Sequence, residues 1–568
     1  MSEEALLPAN GRQQHSAEND ATAENDSAYS WYYENFAIAA GPLAGLLAYF
    51  IFLTDQDHVQ QGSQKLAAMF AILLWICVWW MTEAVPIAIT ALLPLFLFPL
   101  LQISTADAVA KAYMNDTISL FLGSFILALA VQKYNCHKRL ALKTLLVFGG
   151  EKMDPRTLLL GFCAGPAFVS MFMSNTAVAV MMIPMAVGVV QKVQNSPLDA
   201  PSDPSVEASR NPKHQKSPSD EESGYREIES GETSSQFANK ALSKYSKGVV
   251  LAVGYAVGVG GMTTLTGTGP NLVFSGIFRS LFPKAEPVTY TQWLMFGFPL
   301  GVFFLLLLWF ILCVMYCPTA AVPVVSASLS RSTIQKEYDS LGAMDSAEKT
   351  VVSLFTVLAF LWMTRATNGD VPGWGSYFHG YADDGTVSIL MAMFLFILPF
   401  RGQKLMNWAD CKKLPWDIVL VLGGGFALAD GIRQSGLSEW IAAHLDFLHS
   451  IPFLLITPSV AVIVAIVTEF TSNNATATIF LPLLAEVSLN LNIHPLFLMV
   501  TATLASSFSF MLPIATPPNA VAYTAGKLRM TDLAIPGFLL KCTGIFLLSV
   551  LMPTLGNVVF NLDEKFQN

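Results

Sequence analysis

Residues 157 to 191 read TLLLGFCAGPAFVSMFMSNTAVAVMMIPMAVGVVQ, a run without a charged side chain between Arg156 and Lys192. A bilayer core of ~30 Å is crossed by about 20 helical residues. The run is too long for one crossing and too short for two with a turn. It suits a hairpin that enters the membrane partway and returns to the same side. Its middle is polar: Ser174, Asn175 and Thr176. Polar, non-helical backbone at that depth is tolerated only when buried in protein or lining a cavity.

Working outward, further uncharged runs occupy 35 to 54, 66 to 82, 84 to 106 and 117 to 132 before this segment. After it come 248 to 278, 287 to about 317, 350 to 364, 385 to 400, 415 to 432, 487 to 526 and 533 to 562. A second long run, 447 to 485, is interrupted only by Glu469 and predicts a second hairpin. The reading is an all-α polytopic membrane protein. Composition agrees: 53% of the 568 residues are hydrophobic and 13% are charged, about half the ~25% of a soluble domain.

The polar stretches divide the chain. Residues 1 to 34 predict a disordered cytoplasmic tail without the apolar core of a signal peptide. The first-half spans and hairpin fill 35 to 190, and 191 to 247 predicts a disordered cytoplasmic loop. Next come a broken-helix span, another span and the start of a loop, 248 to 330. Residues 331 to 349 predict a cytoplasmic loop, 350 to 562 the second-half spans, and 563 to 568 a short tail. Lys and Arg collect in 133 to 156, 401 to 413 and 527 to 529 and are sparse in the intervening loops. This alternation is coherent only if both long runs return to their starting side.

The net charge of −9 and the lack of a basic stripe exclude a nucleic-acid partner. The seven cysteines have no CxxC spacing and the histidines form no ligand set, so neither a disulfide framework nor a zinc site is predicted. No nucleophile, base and orienter set appears in the apolar runs, which argues against an enzyme.

The halves repeat one another. Gly123-Ser-Phe-Ile-Leu-Ala128 recurs as Gly424-Gly-Phe-Ala-Leu-Ala429, and Ser174-Asn-Thr-Ala with Pro184 recurs as Ser472-Asn-Asn-Ala with Pro482. Ser170 matches Thr468, and Gly267-Thr-Gly-Pro-Asn271 matches Ala515-Thr-Pro-Pro-Asn519. The charge count opens the two hairpins to opposite sides. Inverted repeats with broken helices are the signature of a secondary transporter with a midplane site.

Helix N-termini at the two tips favour carboxylates without any Lys or Arg, and two tips suit the two carboxylates of one small diacid. Glycine and proline at 267 to 270 and 515 to 518 interrupt helices and free carbonyl oxygens suited to a hard cation. A dianion in a low-dielectric site needs such counter-charge, so coupling to sodium ions or protons is expected. Taken singly, a Ser-Asn pair is a helix cap and a Pro-Asn pair a turn; the repeated set points to binding.

These paired motifs, with Met81-Thr-Glu-Ala-Val-Pro86, resemble the divalent anion:sodium symporter family over about residues 35 to 560. The Ser-Asn-Asn motif and the acidic tail are most similar to the plant tonoplast dicarboxylate branch. The resemblance implies about eleven transmembrane helices, two re-entrant hairpins, a homodimer-forming scaffold domain, and a transport domain moving as an elevator. It implies a first cation site at Ser170, Ser174, Asn175 and the Gly267 carbonyl, and a second at Thr468, Ser472, Asn473 and the Ala515 carbonyl. Substrate contacts would fall on Asn175, Thr176, Thr268, Ser472, Asn473, Asn474, Thr516 and Pro517. Asn474 stands where the family motif has Thr, and Gly269 where it has Pro. The implied cargo is malate, succinate or fumarate, with citrate as a further candidate. Sulfate or phosphate carriage and an anion channel are the alternatives. Glu469 reads either as a proton carrier or as a structural acceptor, and no cofactor is expected beyond a coupling ion. Glu3-Glu-Ala-Leu-Leu7 resembles an acidic dileucine sorting signal, which with the branch resemblance favours a vacuolar membrane over the plasma membrane.

Overall fold

The computed structural model describes residues 36–52, 63–150, 153–194, 218–319, 322–328, 331–365, 373–379, 381–437, 440, 452–563 and 566. The tail expected at 1 to 34, the first part of the insert (195 to 217), and 441 to 451 at the start of the second long run lie outside these residues.

The first half begins with α1 (Phe36–Phe52) and α2 (Ser63–Thr82), then α3 (Ile87–Thr90), α4 (Leu93–Leu100), α5 (Ala106–Ala112), α6 (Asp116–Lys133) and α7 (Cys136–Gly149). The first long run forms α8 (Pro155–Ser170) and α9 (Asn175–Gln194), parted at residues 171 to 174. Next are α10 (Pro218–Met262), α11 (Gly269–Leu281), α12 (Tyr290–Tyr316), α13 (Val322–Ser328) and α14 (Arg331–Asp339). The second half runs through α15 (Ser346–Thr364), α16 (Asp384–Ile397), α17 (Trp416–Gln434), α18 (Phe453–Val467), α19 (Asn473–Asn490), α20 (Pro495–Ala505), α21 (Pro517–Ala525) and α22 (Met530–Leu551). Among the described residues five helices are long and apolar enough to cross a membrane, and several shorter apolar helices accompany them. The protein is an all-α, multi-pass membrane protein.

Three stretches depart from the sequence reading. The span expected at 84 to 106 is split between α3 and α4. Pro94 has no N–H to give to the Thr90 carbonyl, which ends one helix and starts the next. The insert expected to be disordered over 191 to 247 is helical from Pro218 onward, continuous with the buried part of α10. The segment holds no further proline, and propagation from a formed helix adds one hydrogen bond per residue. The loop expected at 331 to 349 contains α14, anchored by Ile334, which is 1% exposed, and by Arg331 donating to the Gly150 carbonyl. One short hairpin, Pro399–Phe400 with Gln403–Lys404, turns through Arg401 and Gly402, both at positive φ (45° and 79°), as a two-residue primed turn requires.

The repeated glycines are crossing points. A β-carbon at Gly123 would run into the backbone of Ser388, where α6 crosses α16; one at Gly424 would meet the Ala91 carbonyl. Gly260 on α10 lies against the Ala167 backbone of α8. Charged residues near span ends are paired. Lys133 meets Asp410 at 2.8 Å, Arg139 meets Glu348 at 3.0 Å, and Lys247 meets Asp532 at 2.6 Å. Arg279, at the end of α11, reaches Asp116 of α6 at 2.7 Å and Asp383, the N-cap of α16, at 3.0 Å. Beside it Ser280 donates to Asp430 of α17 at 2.5 Å.

Candidate functional site

Four helices begin at one cavity: α9 at Asn175, α11 at Gly269, α19 at Asn473 and α21 at Pro517. The cavity holds about 940 Å³. In α9 and α19 the first two N–H groups, those of Asn175 and Thr176 and of Asn473 and Asn474, have no backbone acceptor among the described residues. These are the orphan donors that any helix leaves at its start. In α11 and α21 the N-caps Thr268 and Thr516 have nearly identical backbones, φ −145° and ψ 153° against φ −146° and ψ 148°. The sequence repeat is therefore a repeat of backbone geometry.

Of the residues singled out by sequence, Ser174, Asn175, Thr176, Gly267, Thr268, Ser472, Asn473, Asn474, Ala515, Thr516 and Pro517 line this cavity. Ser170 and Thr468 do not. Both are fully buried behind it and act on the tip asparagines. Ser170 donates to Asn175 Oδ1 at 2.5 Å, and Thr468 donates to Asn473 Oδ1 at 2.8 Å. The two halves differ at the next contact. In the first, a β-carbon on Gly261 would overlap Asn175 Oδ1. At the matching position of the second stands Ser509, whose hydroxyl donates to Asn473 Oδ1 at 2.8 Å.

The interruptions of α10–α11 and α20–α21 free carbonyl groups, and one asparagine in each half satisfies several of them. Asn271 Nδ2 donates to the Thr264 carbonyl at 2.7 Å and the Met262 carbonyl at 3.3 Å. Asn519 Nδ2 donates to the Ser509 carbonyl at 2.9 Å and the Leu512 carbonyl at 3.1 Å. Sequence reading quoted both asparagines in the repeat but gave them no role. The signal was present, since a Pro-Asn step inside an apolar span leaves carbonyls that an amide two residues into the next helix can reach. Thr471 Oγ1 and Ser507 Oγ, also on the cavity wall, are buried without a hydrogen-bond partner.

Among the described residues lining the cavity there is no Lys or Arg; the charged ones are Glu83 and Asp417. Positive potential comes instead from helix N-termini, and hydroxyl, amide and freed carbonyl oxygens supply the donor set that half-helix ends use to hold sodium ions beside an anionic group.

The two departures from the family motif touch each other. A β-carbon on Gly269 would overlap the amide of Asn474, so the longer Asn side chain occupies the space that a residue with a side chain at 269 would take. The Asn474 amide is a movable group, so Gly269→Ala leaves the protein folded and pushes that amide aside. With Asn474 as a substrate contact, as the family resemblance implies, we expect the half-saturating substrate concentration to rise by about 10-fold, the equivalent of one lost hydrogen bond. Asn474→Thr added to Gly269→Ala reproduces the first half's Thr176 type and restores uptake. Unchanged substrate affinity in Gly269→Ala would remove the coupling.

The description "Sodium:sulfate symporter transmembrane region" fits residues 48–562. The Homo sapiens Na(+)/dicarboxylate cotransporter 3 is 35% identical over 537 residues, covering 87% of this chain and 88% of its own. The Mus musculus Na(+)/citrate cotransporter is 37% identical over 541 residues, 88% and 92% of the two chains. The sodium-dependent dicarboxylate transporter SdcS of Staphylococcus saprophyticus is 34% identical over 529 residues, 92% and 91%. Likeness to the solved Neisseria gonorrhoeae MtrF, of a class of antimetabolite efflux pumps, is slight: TM-score 0.49 at 11% identity over 79% of this chain and 84% of that one. With nearly the whole spanning region matched and the paired tips in place, this chain belongs to the sodium:sulfate symporter family, the divalent anion:sodium symporters.

Proposed function

We propose that the protein is a secondary active transporter that carries a small dicarboxylate such as malate, succinate or fumarate, and citrate as well, together with sodium ions. The observation that carries this reading is the charge inventory of the described residues lining the cavity: four helix N-termini, many neutral oxygens, no basic side chain, and two carboxylates on the wall. A dianion there is strongly disfavoured alone and stabilised by cations bound at its side. The dicarboxylate and citrate cargoes of the relatives support the same substrate class. In this reading the first cation lies among Ser170, Ser174, Asn175 and the Gly267 carbonyl. The second lies among Thr468, Ser472, Asn473 and the Ala515 carbonyl. The substrate lies between them on Asn175, Thr176, Thr268, Ser472, Asn473, Asn474, Thr516 and Pro517.

The repeat also supports alternating access by movement of the cavity-bearing elements against a scaffold, and the family resemblance implies a homodimer. The dileucine-like stretch at Glu3 to Leu7 supports a vacuolar membrane, which a fluorescent fusion distinguishes from the plasma membrane.

Uptake of labelled malate into proteoliposomes, with sodium and pH gradients imposed separately, tests the function. The sodium gradient is expected to drive saturable uptake that internal malate accelerates. Sulfate uptake without malate uptake would make the protein an inorganic anion carrier. Current without saturation or acceleration would make it a channel. Stimulation by the proton gradient alone would transfer the coupling to protons.

A further inference from the structure

We infer that Glu469 and Lys541 form a positioning pair that replaces a missing helical turn and holds the second half's unwound segment in binding geometry before any cation arrives. The inference rests on the cation sites proposed above. The pair is buried, with Glu469 4% and Lys541 6% exposed, and its Nζ to Oε1 distance is 2.6 Å.

The two halves are unequal where the pair sits. Aligned on Asn271 and Asn519, Ala505 at the end of α20 corresponds to Val257, yet α10 continues to Met262. The second half therefore unwinds five residues earlier, and its N–H groups at 510 to 512 stand where the first half has Met262, the last residue of α10, Thr263, which donates to the Gly260 carbonyl at 3.1 Å, and Thr264. Glu469 takes up the three N–H groups. Its carboxylate accepts from the N–H groups of Phe510 at 3.0 Å, Met511 at 3.1 Å and Leu512 at 3.2 Å. Lys541 supplies the counter-charge and donates to the Ala465 carbonyl at 2.7 Å. That carbonyl needs a donor because the Glu469 N–H turns to Ile466 instead.

Among the described residues the first half has no equivalent. Aligned on Ser174 and Ser472, Glu469 corresponds to Met171. Gly297 and Gly537 each lie against the unwound segment, at the Thr263 and Phe510 carbonyls, and four residues beyond them stand Gly301 and Lys541. There the segment is tied by neutral bonds, from the Thr264 hydroxyl to the Met171 carbonyl and from the Trp293 indole N–H to the Met262 carbonyl at 3.2 Å. A charge-assisted set of four bonds in a low-dielectric interior is a stronger tether than two neutral bonds. It fixes Ser509, next to the three pinned amides, against Asn473, and so shapes the second cation site without touching the ion.

Hydrogen exchange on the full-length protein in detergent, without sodium, tests this directly. The amides of 510 to 512 are expected to be protected in the unaltered protein. In Glu469→Gln and Lys541→Met they lose at least about 10-fold of that protection, since each change removes a charged hydrogen-bond partner. Residues 263 to 268 keep theirs. Lys541→Arg retains the pair and the protection. In flux, Glu469→Gln raises the half-saturating sodium concentration about 10-fold and leaves the rate at saturating sodium within about two-fold, a split that loss of general stability does not give. Amides 510 to 512 exchanging in the unaltered protein as fast as in an unstructured peptide overturn the inference, even if neither variant folds. So does loosening of 263 to 268 to the same degree in the variants. The protection pattern without any sodium effect on flux would sink the sodium reading and leave the positioning pair standing.

Discussion

Asn175→Ala and Asn473→Ala are each expected to lower dicarboxylate uptake by about 100-fold while the protein still folds and inserts. Each asparagine is the first residue of its helix, lines the cavity, and has its Oδ1 held by a buried hydroxyl from the arm before it, Ser170 or Thr468. On the cation and substrate sites proposed above, truncation removes an oxygen from the cation and an amide donor from the substrate, each a bond to a charged group and worth about 1.5–3 kcal/mol. At 1.4 kcal/mol per factor of ten, the two losses account for the expected fall with room for partial compensation. The helix starts themselves survive, because Ser174 and Ser472 still receive the N–H groups of Ala177 and Ala475. Uptake kinetics on purified, monodisperse variants are the measurement; normal rates from both would remove the site.

Gly260→Val is the corresponding change on the framework, and it should abolish recoverable folded protein. Gly260 sits two residues before α10 breaks, against backbone atoms of Ala167, three residues before α8 ends. Backbone cannot swing aside as a side-chain tip can. An isopropyl group there forces α8 and α10 apart, and over-packing of a tight crossing costs about 1–3 kcal/mol or more. The tip between α8 and α9 is displaced along with it. Yield of monodisperse protein and the thermal unfolding midpoint report the effect, and an unaltered midpoint in Gly260→Val would contradict the crossing.

Much of this was legible in the sequence because membrane burial leaves strong marks. An uncharged run of the wrong length, polar at its centre, located the tip at Ser174 to Thr176, and its echo at Ser472 to Asn474 located the other. The repeated glycines and prolines located the interrupted helices. Long-range pairing was not legible. Nothing in the runs around Glu469 and Lys541 announces that two ions so far apart in sequence meet, nor that Ser170 and Thr468 stand behind the cavity wall and act on the tip asparagines. The pairing of Arg279 with Asp116 and Asp383, carboxylates from two other helices, is of the same kind. The helical continuation of α10 into the insert was masked by a polar composition that, without a buried partner, predicts disorder.

Those carboxylates give α11 a mechanical meaning. Its thirteen residues form a rigid strut of about 20 Å, with Gly269 at the cavity and Arg279 clasped to α6 and the start of α16 at the far end. The cavity floor cannot shift along the strut without first unfastening that clasp, and Arg279 is about a quarter exposed to solvent. Salt at that face loosens it by screening. On the alternating-access reading proposed above, the speed of the conformational cycle is tied to the ionic strength of one compartment, independently of how tightly cargo is held.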